Sequence, residues 1–336
     1  MDKGREGVGR NFALALPYDV MKTMAQESTP LITVGIPTFN RPEGLARTLA
    51  RIIGQTYTHL EILVSDNHSD DARAVEEVLA RYHHDKRLRF FRQERNLGSI
   101  GNFEFLVRQA RGDFFLWAAD DDELESTYVE ALLAAFRSKP GAAVAMTGYD
   151  VLDEMAMPHI RAELTRHLFQ LSGPDAYTRL RNYIRQPDHL GKSRLVWGMF
   201  PRPLIVRAFE ECQKARDPNR APVWADLPIE LRMLSYGDLA VAPQVLFHVH
   251  LLPTSDGKNW LSGGMKKLMS FVDRSVQSQS AVVRDAGITS AQKRELHVRL
   301  RWYELKAKLQ LLAYYGLIGR SPWLARQIKK IWFALS

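Results

Sequence analysis

The chain has 336 residues, 46% hydrophobic and 25% charged, with a formal net charge of +8 and a single cysteine, Cys212. That length can bury a full core as one large domain or two fused halves, and the composition is that of a soluble globular protein. One cysteine excludes an internal disulfide framework and fits a reducing compartment, and no run approaches the roughly 18 apolar residues of a spanning helix.

The positive balance invites nucleic acid, an anionic membrane or a phosphorylated substrate. No zinc-finger spacing, RNP pattern or recognition-helix motif accompanies it, so nucleic acid is not expected as a partner. Within residues 1–29 the apolar patch at 12–16 stops at Pro17, too short for a secretory segment. The expectation is a cytosolic protein with a loose N-terminal arm.

Residues 31–36 read as a strand stopped by Pro37; Thr38, Phe39, Asn40 and Arg41 form a turn, and Pro42 suits the first position of a helix. Leu45, Leu49, Ile52 and Ile53 follow at helical spacing, with Gly54 as terminator. A second strand over 60–65 ends in the polar run from Asp66 to Asp71, and a helix over 72–84 buries Val75, Val78, Leu79 and Tyr82. The third strand, 88–92, leads into 96–102 and a helix through Phe103, Leu106, Val107 and Ala110. Residues 114–119 then form a buried strand that runs into three consecutive acids, Asp120, Asp121 and Asp122, before a helix over 126–137 and a strand over 142–147. This alternation predicts an α/β fold with a mostly parallel central sheet flanked by helices on both faces.

Every strand of this first half ends in a polar cluster: Thr38, Asn40 and Arg41; Asp66 and Asn67; Asn96 and Gly98; the acid triplet. Side by side in a parallel sheet, these clusters line one crevice. Acids packed this closely repel one another unless a cation or solvent relieves them. A carboxylate pair in that place can hold Mg²⁺ or Mn²⁺, whose remaining ligands come from water and substrate phosphate. The plainer alternative is a solvated turn whose acids favour the start of the next helix. No dinucleotide fingerprint is present, since Gly7 and Gly9 follow no strand and Gly98 and Gly101 are wrongly spaced, and there is no P-loop. Phosphates would be met by metal and side chains.

Residues 34–41 (VGIPTFNR), 63–67 (LVSDN), 96–102 (NLGSIGN) and the triplet at 120–122 resemble, in order and spacing, the motifs of family 2 glycosyltransferases with the GT-A fold. The resemblance covers residues 30–150 well and thins toward residue 255. It implies a Rossmann-like GT-A fold with a nucleotide-sugar-binding half at 30–150, an acceptor-binding half and lid at 151–260 and a helical C-terminal extension at 261–336, after the arm at 1–29. It also implies a metal-dependent, inverting, hexosyltransferase-type enzyme. Such an enzyme moves sugar from a nucleotide-diphosphate donor to a glycan or lipid-linked acceptor in bacterial surface polysaccharide assembly. Alternatives are a catalytically silent nucleotide-sugar or glycan-binding protein of the same fold, and a sugar-phosphate nucleotidyltransferase, whose usual glycine-rich N-terminal loop is missing.

By that resemblance Pro37, Thr38, Asn40 and Arg41 form the loop at the nucleotide pocket, Asp66 hydrogen-bonds the nucleobase and Asn102 lies near the nucleotide. Asp120 and Asp122 match the ends of a DxD motif, with Asp122 the direct metal ligand, and Asp121 faces ribose or sugar hydroxyls. Residues 195–200 read as a strand beside the donor, where Trp197 either stacks on a sugar or packs in the core and Gly198 permits close approach. Asp226 stands where the family carries the general base, preceded by Ala225 where relatives often carry Glu; it also suits a helix N-cap. A strand over 239–247 ends near His248 and His250, of which His250 is named as a further metal ligand, and 253–259 suits a lid.

Thr289 and Ser290 cap a long helix through Tyr315, ended by Gly316. Ser321 and Pro322 begin another, with Leu324, Ile328, Ile331 and Leu335 on one stripe, Trp323 and Trp332 nearby, and no acid after Glu304. Such helices either pack on the protein itself or contact an anionic membrane, which would place the protein peripherally on the inner face of the cell membrane.

Overall fold

The computed structural model describes residues 29–151, 167–186, 192–214, 226–249 and 264–318. Strands β1 (Ile32–Thr38), β2 (Leu60–Asp66), β3 (Leu88–Arg92) and β4 (Phe114–Trp117) pair in parallel in the order β3-β2-β1-β4. β2 and β4 are buried at every residue, because helices cover both sheet faces and leave no solvated side to call for alternation. The sheet continues through β7 (Met199–Pro201), β6 (Ala142–Val151) and β8 (Asp238–Val249) to the short β5 (Glu123–Leu124). β6 and β8 are parallel, whereas β7 runs antiparallel to β4 and β6, and β5 antiparallel to β8. The result is a mixed, mostly parallel eight-stranded sheet.

The first crossovers are α1 (Pro42–Ile53), α2 (Ala72–Ala80), α3 (Gly98–Gln109) and α4 (Tyr128–Ser138). α1 starts at Pro42, whose missing N–H is an orphan position anyway, and seats Leu45, Leu49 and Ile52 fully in the core. α2 is capped by Asp71, which accepts from the Ala74 N–H, and ends at Ala80, four residues earlier than its apolar pattern suggests; a turn follows. In the second half come α5 (Ala176–Arg185), capped by Asp175, then α6 (Arg202–Lys214) and α7 (Asp226–Tyr236).

Besides the early end of α2 and of β4, which stops at Trp117, three elements differ from the sequence expectation. The acid triplet does not pass straight into a helix: Glu123 and Leu124 first pair with His248 and Phe247 as β5. The strand expected over 195–200 is a 3₁₀ turn, Lys192–Trp197, followed by β7. Gly198 joins the two, and a β-carbon there would lie 2.5 Å from the Ala145 carbonyl oxygen, so only glycine lets the turn press on β6. The last helix continues past Gly316 to Ile318.

α8 (Gly264–Asp285) and α9 (Ser290–Ile318) form a helical hairpin. A capping box starts α9: the Gln292 N–H donates to Thr289 Oγ1 at 3.2 Å and the Thr289 N–H to Gln292 Oε1 at 2.9 Å. Leu296 and Leu300 join the main core, and Leu311 packs with Leu268 and Val272 in a small second one. The second C-terminal helix and the lid anticipated from sequence lie outside the described residues, as does all of the arm except residue 29.

The two ends of the parallel strands differ in kind. At the amino ends, the buried Glu61 accepts from Thr33 Oγ1 at 2.7 Å, from Arg89 and from the Arg111 N–H. That end closes on itself. The functional candidates gather at the carboxyl ends.

Candidate functional site

β1 and β4 are neighbours, and the Ala118 N–H still donates to the Gly35 carbonyl at 2.9 Å, so the chain leaves the sheet only at the triplet. α1 then seats the departing loop. Thr48 Oγ1 donates to the Ala119 carbonyl at 2.9 Å, and Gly44 lies so close that a β-carbon would sit 2.1 Å from the Asp120 carbonyl oxygen. Helix and loop can meet this way only with glycine at that position.

Asp120 and Asp122 are 7% and 8% exposed. Thr38 Oγ1 donates to Asp120 Oδ2 at 2.9 Å, and Arg41 Nη1 lies 3.0 Å from both Asp120 Oδ1 and Asp121 Oδ2. One guanidinium thus bridges two of the three acids. Burial pushes the Asp120 carboxyl up to about 6 despite the opposing pull of Arg41 and Thr38. Burial thus makes the ionised Asp120 carboxylate costly even with Arg41 and Thr38 beside it. Asp121 is directed to Arg41 by this contact, a role the sequence did not suggest.

Asp66 is fully buried at the end of β2. It accepts from the Ser69 N–H at 3.0 Å, from Ser69 Oγ and from Arg92, its neighbour across β2 and β3. Asn40, at φ 56°, accepts from the Asp70 N–H at 2.7 Å and donates to Asp70 at 2.8 Å, while its own N–H donates to Ser69 Oγ. The loops after β1 and β2 are stitched together in this way. Asn102 is buried behind them, accepting from Ser65 Oγ at 2.6 Å and donating to the Ser65 carbonyl at 3.1 Å. Asn67 accepts from the Leu97 N–H and so fixes the start of α3.

A second chain of contacts starts at Tyr128, the first residue of the helix after the triplet. Burial, with the nearby Asp122 carboxylate adding to it, pushes the Tyr128 phenol strongly up, and its hydroxyl donates to the Trp197 carbonyl at 2.9 Å. The Trp197 ring is half-buried and meets Phe103 edge to face, with ring centroids 5.8 Å apart. One residue earlier, the Val196 N–H donates to Glu230 Oε1 at 2.7 Å, and Tyr183 donates to the same buried carboxylate. Glu230 lies on α7, one turn beyond its first residue, Asp226. The start of α4, the 3₁₀ turn and α7 are thereby tied in series.

His248 pairs across the sheet with Glu123, the residue after the triplet, and its ring is held by Asp150 at 2.6 Å and Glu125 at 3.1 Å. His250 and the Asp226 side chain lie outside the described residues. Among the described residues no three His, Cys, Asp or Glu side chains converge as a metal set. Asp120 and Asp122 supply hard carboxylate oxygens two residues apart in the loop where β4 leaves the sheet, a donor type that suits a divalent cation shared with phosphates. Sequence reasoning passed over Ser69, Arg92, Tyr128 and Glu230. Arg92 was within reach, since parallel register sets the last residue of β3 beside the last residue of β2.

Residues 33–193 match the family model described as Glycosyl transferase family 2. GalNAc(5)-diNAcBac-PP-undecaprenol beta-1,3-glucosyltransferase of Campylobacter jejuni is 38% identical over 106 residues, 31% of this chain and 34% of that protein. Chondroitin synthase of Escherichia coli is 32% identical over 142 residues, 38% of this chain and 20% of that protein. The matched stretch thus spans about a third or less of these relatives. Among solved structures, S. aureus TarS 1-349 in complex with UDP-GlcNAc superposes with a TM-score of 0.60 at 14% identity, covering 80% of this chain and 71% of that one. Mannosyltransferase PcManGT from Pyrobaculum calidifontis, in complex with GDP-Man and Mn²⁺, gives a TM-score of 0.51 at 17% identity, covering 95% and 87%. At these identities the likeness shows a shared fold.

Proposed function

We propose that this chain, whose residues 33–193 are a glycosyl transferase family 2 domain on a GT-A fold, is an inverting, metal-dependent transferase that moves a sugar from a nucleotide-diphosphate donor to a glycan or lipid-linked acceptor. The observation that carries the reading is the Arg41-bridged triplet where β4 leaves the sheet, followed by a helix whose first residue, Tyr128, is tied through Trp197 and the Val196–Glu230 bond to the helix headed by Asp226. A displacement of this kind needs the leaving diphosphate on one side of the anomeric carbon and a base on the other, in fixed relation.

In this reading residues 30–150 bind the donor, and 151–260 present the acceptor. The loop of Pro37, Thr38, Asn40 and Arg41, stitched to Asp66, forms the nucleotide wall. Asp120 and Asp122 would hold Mg²⁺ or Mn²⁺, which would supply positive charge toward the donor's diphosphate. Arg41 keeps Asp120 and Asp121 in register for that task. Asp226 accepts the proton of the acceptor hydroxyl as the new bond forms, through a transition state of oxocarbenium character. The C. jejuni relative, named for an undecaprenol-linked substrate, supports a lipid-carried acceptor; a place in bacterial surface polysaccharide assembly, at the cytoplasmic side of a membrane, belongs to the same proposal.

The test is transfer and donor hydrolysis from UDP-, GDP- and dTDP-sugars with lipid-linked and free glycan acceptors, for wild type and Asp226→Asn. Transfer from one donor, lowered by about 10²- to 10⁴-fold in the variant with donor affinity kept, is the expected result. Turnover unaffected by Asp226→Asn removes that residue from the mechanism, and tight donor binding without turnover makes the protein a silent binder.

A further inference from the structure

We propose that the outer face of α9 docks the protein on an anionic lipid bilayer. The inner face of this helix is filled by Leu296, Leu300 and Leu311, each no more than 2% exposed. A second apolar stripe runs along the opposite side. Val298, Trp302, Leu305, Leu309 and Leu312 are 48% to 67% exposed, and their spacing of four, three, four and three residues keeps them on one line. A helix that is apolar on two faces has one face still to bury, and a continuous exposed stripe of this kind marks an interaction surface.

The charges around the stripe select its occupant. Arg294 and Arg301 flank it on one side and Lys306 on the other, all exposed. The flanking acid Glu295 is engaged by Arg299 and Arg181, and Glu304 by Lys308. Beyond Glu304 the sequence contains Lys306, Lys308, Arg320, Arg326, Lys329 and Lys330 and no acid, together with Trp323 and Trp332. At the same end of the hairpin, where Leu268 of α8 packs on Leu311, Met265, Lys266 and Lys267 are also exposed. Two copies pairing through the stripe would bring these cations against one another, which disfavours self-association. An anionic headgroup layer meets the cations and admits the apolar residues, and Trp302 in the middle of the stripe suits that interface. Among the described residues no helix is long and apolar enough to cross a membrane, so the contact is one of lying on the surface. The proposal does not rest on the transferase reading.

The test is sedimentation of the full chain with vesicles of phosphatidylcholine alone and of phosphatidylcholine with about one third phosphatidylglycerol, without donor or acceptor. Binding to the anionic vesicles, weakened by high salt and reduced by at least about tenfold in Leu305→Glu/Leu309→Glu, is the expected result. Should that variant lose its cooperative melt, Arg294→Glu/Arg301→Glu, altered only at exposed positions, must show the same loss. No binding, binding to both vesicle types alike, or binding that neither variant weakens overturns the proposal. So does a wild-type dimer in vesicle-free solution that Leu305→Glu/Leu309→Glu converts to monomer, because the stripe's occupant is then a second copy.

Discussion

Asp120→Asn should make the ligand-free protein more stable at neutral pH while removing its activity. The Asp120 carboxyl rises from 3.8 to about 6 on folding, chiefly through burial. A carboxyl with a raised folded-state pKa binds more protons in the native than in the unfolded chain, so its ionisation lowers stability as pH climbs from about 4 to about 6. Below that window both states are protonated and the penalty vanishes; above it the penalty is complete. Two pKa units correspond to about 3 kcal/mol, an order-of-magnitude figure already net of the attraction to Arg41. Asparagine mimics the protonated form and escapes the penalty. Melting temperatures of wild type and variant should therefore coincide near pH 4 and diverge by several degrees above about pH 6, with the variant higher. A variant less stable than wild type above pH 6 would show that the Arg41 ion pair outweighs the burial of the charge.

Glu230→Ala should be the most damaging single change remote from the donor loop. Its carboxylate is 1% exposed and receives the Val196 N–H and the Tyr183 hydroxyl. Truncation leaves both donors buried without that acceptor and opens a cavity, an effect of about 3 kcal/mol or more. Glu230→Gln retains an acceptor oxygen and nearly the same volume and should lose much less. Chemical denaturation separates the two. If Glu230 also positions Trp197 against the donor, the Gln variant should keep its fold yet turn over more slowly, whereas equal turnover limits the residue to stability.

The first half of the chain was legible because its strands are short apolar runs ending in polar clusters, and burial on both faces makes such runs unambiguous. Leu116 and Trp117 could be read as buried strand, and Asp120 as its exit, from the sequence alone. The turn before β7 was not legible. Leu195, Val196 and Trp197 have strand-like character, but a carboxylate distant in sequence captures the Val196 N–H, and Gly198 admits a close backbone approach no local pattern announces. β5 was missed because two residues carry no periodicity; its existence depends on β8 lying alongside. Asp66 shows the same limit at the level of a site. Its position was legible, whereas its capture by Ser69 and Arg92 follows from loop geometry and strand register. The outer stripe of α9 was hidden for another reason: with apolar residues on two faces, the helix has no single polar side to read.

The proposed function requires the Arg41-bridged acid loop to receive a nucleotide-diphosphate sugar together with a divalent cation. Calorimetric titration with UDP- and GDP-sugars, with Mn²⁺ and with EDTA, tests this directly on wild type and Asp122→Asn. Binding of one nucleotide class that Mn²⁺ strengthens by at least about tenfold, and that Asp122→Asn makes insensitive to the metal, is the expected result. Binding of equal strength with Mn²⁺ and EDTA, in wild type and variant alike, would contradict it.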